Sequence, residues 1–142
     1  MMRVNPYLTF DGRCEEAFEF YKSILGGEFD SVNRFSEMPE DSPAEPGDED
    51  LIMHISLPMG DGHFLMGSDR PSSMGPGTVG DNVSVSLNVD DVDRARKIFE
   101  GLSDGGKVIM PFDRTFWGSD FGMCIDRFGV YWMVDHSPAQ AG

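Results

Sequence analysis

One pattern occurs twice in this chain, and that internal repeat limits its possible folds more than any other feature. The stretch PYLTFDGRCEEAFEFYKSILGGEF, from Pro6, aligns with SVSLNVDDVDRARKIFEGLSDGGKV, from Ser84. Leu8 and Phe10 fall on Leu87 and Val89, Asp11 on Asp90, and Ala17 on Ala95. Phe20 and Tyr21 fall on Ile98 and Phe99, and Gly26-Gly27 on Gly105-Gly106. Downstream, HISLPMGDGHFLMGSD from His54 lies against FGMCIDRFGVYWMVD from Phe121, pairing Gly62 with Gly129 and Met66 with Met133. The spacing between copies shortens from the first stretch to the second. The surplus in the first half is an acidic segment, residues 36–50, with seven acids, three prolines and no base.

Each copy reads as strand, helix and three strands. Tyr7 to Phe10 alternates as a strand, and Asp11 or the turn after it starts a helix. Ala17, Phe20, Tyr21 and Ile24 then form one apolar stripe at helical spacing. Gly26-Gly27 ends the helix. Strands are expected at Glu28 to Phe35, Leu51 to Leu57 and His63 to Ser68, the last two joined by a Met59-Gly60-Asp61-Gly62 hairpin turn. The second copy has a strand at Val83 to Val89 and a helix buried through Val92, Ala95, Ile98, Phe99 and Leu102. Its later strands fall at Lys107 to Pro111, Phe121 to Ile125 and Val130 to Val134. The expectation is an α+β fold, a single domain over residues 1–142 made of tandem βαβββ modules that form cupped mixed sheets. The modules are 5–69 and 82–135, with the Gly/Pro/Ser-rich segment 70–81 as connector.

Charge and composition remove several functional classes. A net charge of −14 opposes phosphate backbones, so no nucleic-acid partner is expected. No apolar run approaches the length that spans a bilayer, and the amino-terminal residues lack a signal-peptide pattern, so a cytoplasmic protein without a membrane partner is expected. Cys14 and Cys124 match no metal or redox spacing and read as small buried residues. The acidic segment reads as a solvated, mobile loop, with a gate over a pocket as its functional alternative.

Four stretches carry a resemblance. The opening NPYLTFDGRCEEAFEFYKSILGGEF, the pair IMHISL and LMGSD, the segment RTFWGSDFG and the ending DRFGVYWMV cover most of residues 5–135. Together they resemble the PhnB-like subgroup of the vicinal oxygen chelate superfamily, which includes glyoxalase I, bleomycin-resistance proteins and extradiol dioxygenases. The resemblance implies a homodimer whose eight-stranded cupped sheets enclose a small-molecule cavity. It also carries the metal-ligand positions of metal-using members onto Asn5, about Met66, Ser84 and Met133. Those residue types do not make a first-row metal site, so no metal and no cofactor is expected. Methyl transfer finds no support, because no glycine-rich strand-to-helix nucleotide turn is present.

The candidate pocket follows from strand parity and from the aromatic segment Phe112 to Gly118. Tyr131 and Met133 share one face of the last strand, with Trp132 and Val134 on the other. The same parity places Phe64, Met66 and Ser68 in the first cavity, and Tyr7 is counted with them. His54 lies mid-strand, either a hydrogen-bonded structural residue or a ligand-facing one. His63 reads as surface, and His136, near the C-terminus, as non-functional. Phe116 and Trp117 sit on a connector and either wall a pocket or dimer seam or plug the end of a sheet. Asp126 reads as a turn residue bonded to its own backbone rather than a base. The pocket set is therefore Tyr7, His54, Phe64, Met66, Ser68, Phe116, Trp117, Tyr131 and Met133, with no catalytic residue assigned. Two functions remain open: a metal-free binder of a small, mostly apolar molecule, or a metal-dependent lyase, isomerase or dioxygenase.

Overall fold

The computed structural model describes residues 2–137. In chain order the elements are β1 (Tyr7–Phe10), α1 (Cys14–Leu25), β2 (Ser31–Arg34), β3 (Ile52–Gly60), β4 (His63–Asp69), β5 (Val85–Asn88), α2 (Val92–Ser103), β6 (Lys107–Arg114), β7 (Asp120–Ile125) and β8 (Tyr131–His136). They form two compact units whose boundary, between Thr78 and Val79, falls inside the expected connector. Each unit contains one four-stranded mixed sheet with the same strand order, β1-β4-β3-β2 in the first and β5-β8-β7-β6 in the second. In both, the first strand pairs parallel to the last and the remaining pairs are antiparallel. The tandem α+β reading of the repeat is what the chain adopts. Among the described residues no helix is long and apolar enough to cross a membrane.

In the first unit α1 packs against β3 and β4. Its buried stripe is Cys14, Ala17, Phe18 and Tyr21, not the Ala17, Phe20, Tyr21 and Ile24 expected from spacing. Both sets obey the helical period, but Phe18 wins because its ring meets Phe10 and Tyr21 edge-on, with centroids 6.3 and 5.6 Å away. Full burial of a ring such as Phe18 contributes roughly 1.5–3 kcal/mol. Gly67 makes the close approach possible. A Cβ there would lie 2.6 Å from Phe18 Cε1 and 2.7 Å from the Leu8 carbonyl oxygen.

The start of α1 is capped from another strand. Asp11 does not do it, and the N-cap residue, Arg13, makes no side-chain capping bond. Instead Asp69 Oδ1, at the end of β4, accepts the Gly12 and Cys14 backbone N–H groups at 2.9 Å each, while its Oδ2 accepts Ile52 N–H at 2.9 Å. One buried carboxylate thus joins β4, the helix start and the first residue of β3. α2 uses its own Asp91, which accepts from Arg94 N–H at 2.9 Å. The tip of the β3–β4 hairpin is Asp61-Gly62, with φ of 52° and 79°, the left-handed pair that suits a two-residue hairpin.

The acidic segment 36–50 is mostly exposed but is tied at its ends and again through Asp48. Glu37 accepts Arg34 N–H, the Asp50 carbonyl accepts from Arg34 Nη1 at 2.8 Å, and Ser36 N–H donates to the Glu49 carbonyl at 2.9 Å. Asp48 is buried and accepts both the N–H and the hydroxyl of Ser72, at 2.8 and 2.9 Å. β6 runs three residues past its expected end. Phe112, Asp113 and Arg114 are therefore strand rather than connector, held there because the Phe112 ring is buried 5.8 Å from that of Phe99.

Candidate functional site

Strand parity divides each sheet into a helix-covered face and an open one. In the first unit Leu8, Phe10, Ile55, Leu57 and Leu65 turn to the helix side. Tyr7 pairs with Met66 and Thr9 with Ser68 on the other face, and Ser56 and Pro58 of β3 sit opposite Met66 and Phe64. His54 joins them: the Tyr7 hydroxyl lies 3.4 Å from His54 Nδ1, the tautomer deciding which donates, and the rings stack with centroids 5.8 Å apart. The five expected residues Tyr7, His54, Phe64, Met66 and Ser68 thus share the open face of one sheet. All are half-buried except Tyr7, which is exposed. His63 is exposed, as expected.

In the second unit Trp132 and Val134 are fully buried on the α2 side, leaving Tyr131 and Met133 half-buried on the open face. Phe116 and Trp117 do not plug the sheet. The loop that carries them is closed at its base, where Thr115 N–H and Oγ1–H both donate to the Ser119 carbonyl at 2.8 and 2.9 Å. That closure projects both rings outward: Phe116 is 97% and Trp117 57% exposed. They meet edge-to-face with centroids 4.9 Å apart, and Trp117 stands 6.0 Å from Phe121 of β7. The result is a pocket of about 400 Å³ whose apolar lining is Met110, Pro111, Phe116, Trp117 and Phe121, with Asp113, Arg114 and Thr115 as its polar members.

Tyr131 and Met133 are not part of that pocket. The register sets Tyr131 opposite Ile125, four residues along β7 from Phe121 and so roughly 13 Å away. Met110, Pro111, Asp113, Arg114, Thr115 and Phe121 are the lining residues absent from the expected pocket set. Alternation on β7 carried the signal for Phe121, whereas Met110 required knowing that β6 is bulged between Val108 and Asp113.

Behind the pocket lies a charge cluster. Asp120, largely buried, accepts from Arg114 Nε at 3.4 Å, and its other carboxylate oxygen lies 3.5 Å from His136 Nδ1. That nitrogen is shut off from solvent and has no hydrogen-bond partner among the described residues. His136 therefore sits in β8 beside a carboxylate, at the place in its unit that Asp69 holds in the first. Asp126 behaves as a turn residue. Its Oδ1 accepts Phe128 and Val130 N–H at 2.8 and 3.0 Å, and its Oδ2 accepts the Trp132 indole N–H at 2.8 Å. Neither cysteine has nucleophilic character, because burial pushes both thiols up, Cys124 to about 11.

Residues 3–134 match the model of the glyoxalase/bleomycin resistance protein/dioxygenase superfamily. The chain belongs to that superfamily. It is 30% identical to the protein YjdN of Escherichia coli K12, across 94% of this chain and 95% of that one. Among solved structures it resembles the protein PA1353 of Pseudomonas aeruginosa, with 40% identity, a TM-score of 0.84, and 97% and 99% of the two chains covered. It also shares the fold of a PhnB protein of Bacillus cereus described as a putative 3-demethylubiquinone-9 3-methyltransferase. There the identity is 23%, the TM-score 0.74, and the coverage 96% and 100%.

Metal-using members of the glyoxalase superfamily need converging imidazole or carboxylate donors, and the corresponding positions here do not fit one. Asn5 already spends its amide oxygen on Phe64 N–H at 3.0 Å. Met66 and Met133 offer thioethers and Ser84 a hydroxyl, none of them a ligand suited to a divalent first-row ion. Among the described residues, no three His, Cys, Asp or Glu side chains group where they can hold a metal ion.

Proposed function

We propose that this glyoxalase-superfamily protein is a metal-free, cytoplasmic homodimer that binds a small, mostly apolar molecule rather than nucleic acid or membrane. The observation that carries the reading is the open pocket at the Thr115–Ser119 loop, where three aromatic rings and a methionine flank about 400 Å³. Apolar area removed from water there contributes roughly 25 cal/mol per Å², which supplies most of the affinity. On the first sheet Ser68 and the Tyr7–His54 pair give the open face polar groups able to orient a ligand. The donor set at Asn5, Met66, Ser84 and Met133 supports binding without a metal. Dimerisation is supported by β6, an edge strand with Val108 and Ile109 exposed, since a second chain covers such an edge.

The test is a titration with a neutral aromatic probe, naphthol, on wild type and Trp117→Ala, alongside elemental analysis and light scattering. Saturable binding that weakens about tenfold or more in the variant is expected for a ring that lines the site. The purified protein should carry no stoichiometric metal and scatter as twice its 15.7 kDa chain mass. One metal per chain, lost in His54→Ala, overturns the metal-free reading, and a monomeric mass overturns the dimer.

A further inference from the structure

We infer that the pocket at the Thr115–Ser119 loop selects an organic cation, a ligand bearing an alkylated ammonium group. This rests on the reading of that pocket as a binding site and adds the charge of its ligand. The first ground is the arrangement of rings. Phe116 and Trp117 stand at 88° to one another and Trp117 and Phe121 at 63°, so the rings lining the pocket are not stacked flat on one another, and Phe116 and Trp117 are exposed. Aromatic faces set this way attract a cation within about 6 Å of a centroid.

The second ground is that two other aromatic rings of this chain already hold a cation of its own. Lys22 lies over Phe29 and Arg96 over Phe112, each 5.1 Å from the ring centroid. No side-chain cation lies over Phe116, Trp117 or Phe121 among the described residues, although Arg114 lines the same pocket. Asp120 pairs with that guanidinium through Nε at 3.4 Å. The rings are left uncovered, and the pocket's one guanidinium already has a carboxylate partner.

The third ground is Asp113. Its Oδ1 accepts Arg114 N–H at 2.8 Å, and no other hydrogen bond to this carboxylate exists among the described residues. A carboxylate oxygen therefore remains for the ligand. Within the lining Asp113 and Arg114 carry opposite charges, and with Asp120 behind it the three groups sum to one negative charge, on a chain whose net charge is −14. Both the near and the far field favour a cation.

Three water-soluble probes of one shape decide it: choline, its neutral carbon isostere dimethylbutanol, and the anion dimethylbutanoate. Binding is followed on the full chain by the indole N–H resonance of Trp117. The resonance of Trp132, buried on Asp126, serves as an internal reference. Choline should bind about tenfold more tightly than dimethylbutanol, as a cation over a partly desolvated indole does. Asp113→Asn should weaken choline several-fold while leaving dimethylbutanol unchanged, and added salt should weaken choline alone. Dimethylbutanol or dimethylbutanoate binding as tightly as choline overturns the cation assignment and leaves the pocket standing. A Trp117 resonance unmoved by all three probes and by naphthol overturns the pocket itself. A Trp117 resonance that shifts with protein concentration alone puts a second copy on the rings and overturns the ligand reading.

Discussion

Asp69 is the residue on which the first unit's assembly turns, and its removal gives a worked test. The carboxylate is 2% exposed and accepts three backbone N–H groups, those of Gly12, Cys14 and Ile52. In Asp69→Ala, water can reach Gly12 N–H, but the Cys14 and Ile52 groups stay buried without an acceptor. Each such orphan costs about 1–3 kcal/mol. Loss of a negative charge at the start of α1 adds roughly 0.3–1 kcal/mol. The sum is about 4 kcal/mol. Asp69→Asn keeps one oxygen for Gly12 and Cys14 but turns an amide N–H₂ toward Ile52 N–H, a single orphan of about 1–3 kcal/mol. Urea unfolding of the three proteins should rank wild type, Asn and Ala in falling stability. Native-state hydrogen exchange should show Ile52 losing protection in both variants, and Cys14 in Ala alone. An Asp69→Ala variant within about 1 kcal/mol of wild type would refute the claim that this carboxylate is the joint between β4, α1 and β3.

Gly67→Ala should destabilise by about 1–3 kcal/mol, read as a fall in melting temperature, because the new methyl meets Phe18 and the immobile Leu8 carbonyl; a neutral result would mean that α1 shifts freely on its sheet. Cys124 predicts an alkaline limit. Its thiol is raised from 9.0 to about 11 by burial, with Asp126 adding to it, so the unfolded chain ionises first. Stability present below pH 9 is therefore lost as pH climbs toward 11, and Cys124→Ser should flatten that decline in a melting-temperature profile. Both native thiols should resist a disulfide reagent at pH 8 until the protein unfolds, since each is buried with its pKa raised. First proteolytic cuts should fall within residues 36–50, away from the Asp48–Ser72 tie.

The repeat made the architecture legible because both copies bury the same kinds of residue at the same intervals. A period of 3.6 in Ala95, Ile98, Phe99 and Leu102, or of 2 in Trp132 and Val134, follows from geometry that any chain must obey. Parity likewise placed Phe64, Met66 and Ser68 on one face and Tyr131 and Met133 on another, since a strand has only two. Glycine pairs and the Asp61-Gly62 turn mark element ends through local backbone preference alone. These are properties of short segments, and the sequence by itself determines them.

What depended on distant partners could not be read that way. Phe18 and Phe20 are equally apolar neighbours on α1, and only the place of Phe10 and Gly67 on the sheet decides which one is buried. No local rule assigns the cap of α1 to Asp69, 55 residues beyond Cys14, because a parallel pairing of β1 with β4 brings it there. The extension of β6 through Phe112 likewise awaits Phe99 on α2. The pocket belongs to the same class. Phe116 and Trp117 announce themselves in sequence, but the loop closure from Thr115 to Ser119 and the bulges of β6 decide that they meet Phe121 and Met110 rather than Tyr131 and Met133. Local periodicity determines which face a residue takes; only the packing of segments far apart in sequence determines what it meets there.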